Sequence, residues 1–178
     1  MRTLFLQRRF LRRFDGETFR QRLYVHLRRW SLAYLALLLA AVWFQAHYAL
    51  GLNASPSLPQ RLFLIHKSER PQRGDYVAFR WPGGGPYPAG VTFVKVLAGI
   101  PGDVVTVQER AFCVNGVPVG VAKTVSRQGE ALAPGPTGTL PPGRYYVRAP
   151  HPDSLDSRYR LTGWIAESQI IGRAHALF

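Results

Sequence analysis

Lys95 occupies the middle of an apolar run, Val91-Thr-Phe-Val-Lys-Val-Leu97, with Phe93 and Leu97 two positions to either side. The chain carries 23 basic residues, and only Lys67, Lys95 and Lys123 are lysines. Arginine keeps its proton in proteins, whereas a desolvated lysine can release it. A lysine among valines is therefore a candidate base held neutral by its surroundings. Its natural partner is a hydroxyl, and Ser57 stands upstream in Asn53-Ala-Ser-Pro-Ser-Leu-Pro-Gln-Arg-Leu-Phe63. A serine hydroxyl is a weak nucleophile at neutral pH and needs an adjacent base. Ser/Lys pairs meet that need without histidine. Pro56 and Pro59 restrict the backbone on both sides of Ser57. Taken singly, each piece has an ordinary reading. Lys95 fits an edge-strand lysine with its head in water, and residues 53–63 fit a Ser/Pro linker.

A third polar segment is Asp153-Ser-Leu-Asp-Ser-Arg-Tyr-Arg-Leu-Thr-Gly-Trp164. It holds Ser154, and by itself it reads as a loop able to form an Asp156–Arg158 pair. His26, His47, His66, His151 and His175 are scattered and show no metal-ligand spacing, so neither a metal nor a cofactor is expected. Cys113 is the single cysteine and excludes an intramolecular disulfide. It sits in Ala-Phe-Cys-Val-Asn-Gly-Val, a strand leading into a turn, and reads as a buried structural thiol.

The elements that must position these residues begin with a membrane anchor. The 178 residues carry a net charge of +13. Residues 1–29 alone hold nine arginines against Asp15 and Glu17. This block runs into Trp30–Leu50, apolar except for Ser31, Gln45 and His47. As a helix that stretch rises roughly 31 Å, the thickness of bilayer hydrocarbon. Trp30 and Tyr34 at one end, and Trp43 and Tyr48 at the other, suit the two interfaces. The arrangement predicts a basic cytoplasmic segment over 1–29, an uncleaved transmembrane anchor over 30–51, and an exported domain over 52–178. Membrane lipid is then a partner. The arginine block alternatively reads as an amphipathic helix on the inner surface, and no motif supports nucleic-acid binding. Ser57 lies about seven residues past the span, within about 23 Å of the membrane even if extended.

The exported part reads as short, evenly spaced strands: 61–66, 74–81, 91–97, 104–107, 111–114 and 144–148, with 165–173 closing the sheet. Asn115-Gly116 is a strong hairpin signal. Residues 82–88 and 129–143 read as Gly/Pro loops. No sustained helical period follows residue 51, which favours a closed or sandwiched all-β domain.

In this order, the three segments resemble the signal peptidase I family of membrane-anchored Ser/Lys endopeptidases. Ser57-Leu-Pro59 resembles its nucleophile box. Lys95, ahead of Gly99-Ile-Pro-Gly-Asp103, resembles its general base, and Ser154-Leu-Asp-Ser-Arg158 its Ser-x-Asp-Ser-Arg box. The resemblance covers about residues 45–175. It implies a mainly β fold, a signal-peptidase-like antiparallel domain behind an N-terminal transmembrane helix. It implies Ser57 and Lys95 as catalytic, Ser55 as a second oxyanion donor beside the Ser57 N–H, and Ser154 as the hydroxyl that orients the lysine. Asp156 and Arg158 would brace the loop, although in the transfer type the Asp position is linked to activity.

Within the family, the short chain, the single span and the Asn-x-Ser/Thr-x-Ser-x-Pro form are most similar to the TraF-type conjugative-transfer peptidases. These process pilin precursors, and some join the new ends into a circle. Leu58 and Val96 stand where general leader peptidases usually have Met and Arg. Arg61 stands where the transfer type usually has Gly. The implied substrate is an exported precursor with small residues before the cut, handled at a bacterial inner membrane with the catalytic domain in the periplasm. A housekeeping leader peptidase is the neighbouring reading. A non-enzymatic envelope assembly factor fits the composition equally well and makes Ser57 and Lys95 individually replaceable.

Overall fold

The computed structural model describes residues 16–178, with side chains from residue 19 onward. Residues 1–15 of the basic segment expected over 1–29 lie outside the described residues. Helix α1 spans Gly16–His47. After Gly16 it contains no glycine or proline and is rich in Leu, Ala and Arg, all strong helix formers. Within it, Phe19–His47 is long and apolar enough to cross a membrane. The helix differs from the expected 30–51 span at both ends. It starts earlier because residues 16–29 are themselves helix formers. It stops at His47 because Tyr48–Leu52, β1, takes its backbone partners from the facing strand.

The chain divides into two units after Phe44. The second is a β domain of two antiparallel sheets. The larger sheet has seven strands in the order β1-β2-β11-β3-β4-β9-β10. Its further members are β2 (Leu62–His66), β3 (Tyr76–Arg80), β4 (Thr92–Gly99), β9 (Arg144–Arg148), β10 (Ile165–Ala166) and β11 (Ile170–Ala176). The smaller sheet runs β7-β6-β5-β8. It comprises β5 (Val104–Gln108), β6 (Ala111–Val114), β7 (Val117–Val121) and β8 (Gly138–Thr139). The fold is thus mainly antiparallel β with one N-terminal apolar helix, as read from the sequence.

The strand pattern follows from which faces are covered. In β3, Val77 and Phe79 join one apolar cluster while Ala78 joins another, and all three are fully buried. A strand apolar on both faces is covered on both. Val77 pairs with Lys95 and Phe79 with Phe93, so the lysine points toward the same face as those apolar residues. A third cluster, with Phe112, Val114, Leu140 and Tyr146, forms the core beside the smaller sheet. Asn115 and Gly116 both have positive φ, 48° and 77°, the signature of the tight turn that joins β6 to β7. Two expectations shift. Residues 165–173 form not one closing strand but two pieces around a short 3-10 turn, Glu167–Gln169, and β11 lies inside the sheet between β2 and β3. The loop expected over 129–143 contains β8, which pairs with β5.

Candidate active site

Three separate elements bring the expected residues to one place. Ser55 and Ser57 sit on the loop between β1 and β2, Lys95 on β4, and Ser154 on the loop that follows β9. All four line a single groove of about 570 Å³. Ser57, Lys95 and Ser154 are each only 5% exposed. Asp156 and Arg158 do not line the groove; they are buried behind it.

The nucleophile loop is shaped by Asn53 and its prolines. Asn53 Nδ2 donates to the carbonyls of Leu58 and Gln60, each at 3.1 Å. Asn53 Oδ1 accepts from the Ser55 backbone N–H at 3.2 Å and lies 3.0 Å from Ser55 Oγ. Ser55 Oγ is in turn 2.9 Å from Ser57 Oγ. Leu58, next to the serine, is buried in the cluster around Phe63 and Ile65 and anchors the loop.

Lys95 enters from a strand paired on its other edge to β3. Its Nζ donates to Ser154 Oγ at 2.7 Å and lies 5.6 Å from the centre of the Phe93 ring. Burial pushes its pKa down to about 8. The nearby Asp156 charge pulls the other way and the Arg158 charge adds to the fall. Those two opposite charges belong to one ion pair, and desolvation, the largest of the three influences, decides the direction. Among the described contacts, Ser57 Oγ and Lys95 Nζ share no direct hydrogen bond. The serine hydroxyl is turned to Ser55 and the amine to Ser154.

The Asp156–Arg158 pair is built as a brace. Arg158 Nε and Nη2 reach the two carboxylate oxygens at 2.8 and 2.9 Å. The same carboxylate accepts the Ala149 N–H at 2.9 Å. The guanidinium also donates to the carbonyls of Val121 and His151 at 3.1 and 3.2 Å, tying β7 to the loop that carries Ser154. There is no room for change around this pair. A Cβ on Gly135 would lie 2.2 Å from the Ser157 carbonyl oxygen, and one on Gly120 would lie 2.9 Å from Arg158 Nη1. Asp156→Ala leaves a buried guanidinium without its counter-charge, at a cost of about 3–5 kcal/mol. The expected result is a thermal midpoint roughly 10 °C lower for a chain of this size, read from a melt of the detergent-solubilised protein. An unchanged melt would show that the pair does not brace the fold.

Some residues at the site carry no signal in the sequence reading. Asp153 at the groove rim pairs with Lys123 and Arg127, which hold its carboxyl below the ordinary range. Tyr87, on the loop over 82–90, lines the groove and packs edge-on to Phe93 at 5.1 Å. Asn53 belongs to the segment that carries Ser57, and an Asn side chain readily bonds the backbone N–H two residues on. Its four contacts are seen only in three dimensions.

The groove-side edge of β4 also matters. β9 pairs with β4 only at Val96, Leu97 and Gly99. The stretch Thr92–Lys95 therefore has a strand partner on one side only, and its open side faces the groove.

A family model described as "Signal peptidase, peptidase S26" matches residues 24–178. A conjugal transfer protein TraF from Agrobacterium fabrum is 34% identical over 145 residues, covering 71% of this chain and 80% of that protein. A signal peptidase I from Bacillus licheniformis is 30% identical over 158 residues, covering 81% of each chain. A crystal structure of a signal peptidase I from Enterococcus faecalis V583 is 28% identical and aligns over 59% of this chain and 97% of that one, with a TM-score of 0.40. The family-model match over residues 24–178 takes in the nucleophile loop, the lysine strand and the Ser154–Arg158 loop. This chain belongs to the signal peptidase family, the S26 serine peptidases that process precursor proteins.

Proposed function

We propose that this protein is a membrane-anchored Ser/Lys endopeptidase that cleaves exported precursors outside the inner membrane, with a pilin precursor for conjugative transfer as its substrate. The observation that carries this reading is the buried Lys95 amine, drawn toward neutrality beside a groove that Ser57 also lines. Similarity to a conjugal transfer protein supports the choice of substrate.

In this reading α1 holds the enzyme in the bilayer, with its arginine-rich end inside. An extended precursor segment adds itself as a strand to the open edge of Thr92–Lys95. Ser57 Oγ then attacks the scissile carbonyl carbon, and its proton passes to Lys95 Nζ. The carbonyl electron pair moves to oxygen, where the Ser57 N–H and the Ser55 hydroxyl receive it. Lys95 returns the proton to the leaving amine as the C–N bond breaks. The donation from Lys95 to Ser154 keeps the amine's lone pair aimed away from Ser154. Water resolves the acyl-enzyme to a trimmed product, or the precursor's own amino terminus resolves it to a ring.

Intact-mass analysis of the candidate pilin, expressed with and without this protein, tests the reading. A trimmed mass marks hydrolysis, and one lower by a further water marks cyclisation. An unprocessed mass in both cases contradicts it. The similarity to Bacillus signal peptidase I favours a second reading, a general leader peptidase. Depletion separates the two: loss of one transfer system supports the pilin enzyme, and general secretion failure supports the housekeeping one.

A further inference from the structure

The nucleophile loop contains a proton-counting problem. Ser55 Oγ lies within hydrogen-bond distance of two atoms, Asn53 Oδ1 at 3.0 Å and Ser57 Oγ at 2.9 Å. A serine hydroxyl has one proton to donate. Asn53 Oδ1 can only accept, and Asn53 Nδ2 is committed to the Leu58 and Gln60 carbonyls. The contact between Asn53 Oδ1 and Ser55 Oγ is therefore a hydrogen bond only when the Ser55 hydroxyl supplies the proton. When it does, the 2.9 Å contact between the two serines must be filled by the proton of Ser57.

We propose that Asn53 is a positioning residue that stores the Ser55 proton between turnovers and so sets where the Ser57 proton points. The proposal rests on Ser57 acting as the nucleophile. In the resting arrangement Ser55 donates to Asn53 Oδ1, and Ser57 donates to Ser55 Oγ. The Ser57 proton is then directed at Ser55 and away from the base. In the working arrangement the Ser55 hydroxyl turns from Asn53 to the developing oxyanion. Ser55 Oγ no longer faces Ser57 as an acceptor in the same orientation, and the Ser57 proton goes to Lys95 Nζ. No atom is gained or lost in the switch; one hydroxyl proton changes acceptor and a second is released to the amine.

The geometry makes this rotor specific to Asn53. Its amide is fixed at both ends, by two carbonyls on the nitrogen side and the Ser55 N–H on the oxygen side. The carbonyl oxygen cannot swing away when the Ser55 hydroxyl leaves, so the resting acceptor is there again after each turnover. A side chain lacking an acceptor at this point leaves Ser55 to donate to Ser57 or to water, and the oxyanion donor is no longer held ready.

A double-mutant cycle on full-length protein in detergent micelles tests it, using cleavage of a precursor-derived fluorogenic peptide. Asn53→Ala is expected to lower kcat on the order of 100-fold, the scale of losing one oxyanion donor, with KM within about threefold. Ser55→Ala is expected to lose a similar amount. In the Ser55→Ala background, adding Asn53→Ala should cost at least about tenfold less than in the wild type, the remaining loss coming from the Asn53 bonds to the Leu58 and Gln60 carbonyls and the Ser55 N–H. Equal losses in the two backgrounds, or an effect confined to KM, overturn the proposal. Asn53→Ser keeps a small acceptor and serves if Asn53→Ala gives no cooperative melt. It should recover part of kcat, and no recovery in a folded Asn53→Ser protein counts against the rotor. The two levels fail differently. An inactive wild type removes the peptidase reading and the rotor with it, whereas an active wild type with uncoupled Asn53 and Ser55 removes only the rotor.

Discussion

Ser57→Ala is expected to stop precursor cleavage while leaving the protein folded. Removing a catalytic nucleophile of this kind lowers kcat by at least about 10⁴-fold, because the rest of the machinery has nothing to act through. The structural cost is small. Ser57 Oγ has a single described side-chain contact, to Ser55 Oγ, and Ser55 keeps its own contact to Asn53. Loss of one such bond costs about 1 kcal/mol, a few degrees in the melt at most. Paired measurements of peptide turnover and thermal unfolding check both halves. A Ser57→Ala protein that cleaves at more than a few per cent of wild-type rate would remove the nucleophile from the account. One that does not fold would move Ser57 from chemistry to structure.

Lys95→Arg is expected to be as damaging to activity and worse for stability. The guanidinium keeps its proton, so it cannot accept one from Ser57. It would also sit at a position 5% exposed, where its natural counter-ion is already taken, since Asp156 binds Arg158 through both oxygens. A buried charge without a partner costs several kcal/mol. Lys95→Met separates the two effects. Methionine matches the length of the stem without a charge, so the protein should melt near the wild-type temperature and still be inactive, with kcat lowered at least about 10⁴-fold. Turnover by Lys95→Met would show that the amine is not the base.

The parts of this site legible in the sequence are those whose chemistry depends on residue type. A lysine between valines, with Phe93 and Leu97 beside it by period-2 alternation, fits a solvated edge strand as well as a desolvated base, and only the serine segment upstream and the Ser154–Arg158 segment downstream favour the base. Asn115-Gly116 announced its turn, because only residues that tolerate positive φ can make it. The apolar stretch after Trp30 announced a helix able to cross a membrane. What the sequence left open depends on partners far away in the chain. Tyr48–Leu52 continues the composition of the helix, and only its pairing with Leu62–His66 makes it a strand. Gly138–Thr139 is too short to carry a pattern, and its existence follows from an open edge on β5. Asp156 and Arg158 read as a local loop pair, yet they tie Ala149, His151 and Val121 together. Asn53 looks like linker until its amide is seen holding four groups at once. The sequence also carries no sign that Ser57 and Lys95 lack a direct hydrogen bond. The Ser57 hydroxyl meets Ser55 and the Lys95 amine meets Ser154, a pairing that residue types alone do not rank.

The central claim is that a neutral amine at Lys95 activates the peptidase. The pH dependence of kcat/KM on a peptide substrate tests it most directly. Burial lowers the Lys95 pKa from its ordinary 10.5 to about 8, and the active form is the deprotonated one. The rate should therefore fall about tenfold per pH unit well below the midpoint and rise through about pH 8 toward a plateau. A profile with that midpoint in the wild type is the result expected. A rate that is flat from pH 6 to 10, or that climbs only above pH 10, would contradict the account, because no amine neutralised by burial would then control the reaction.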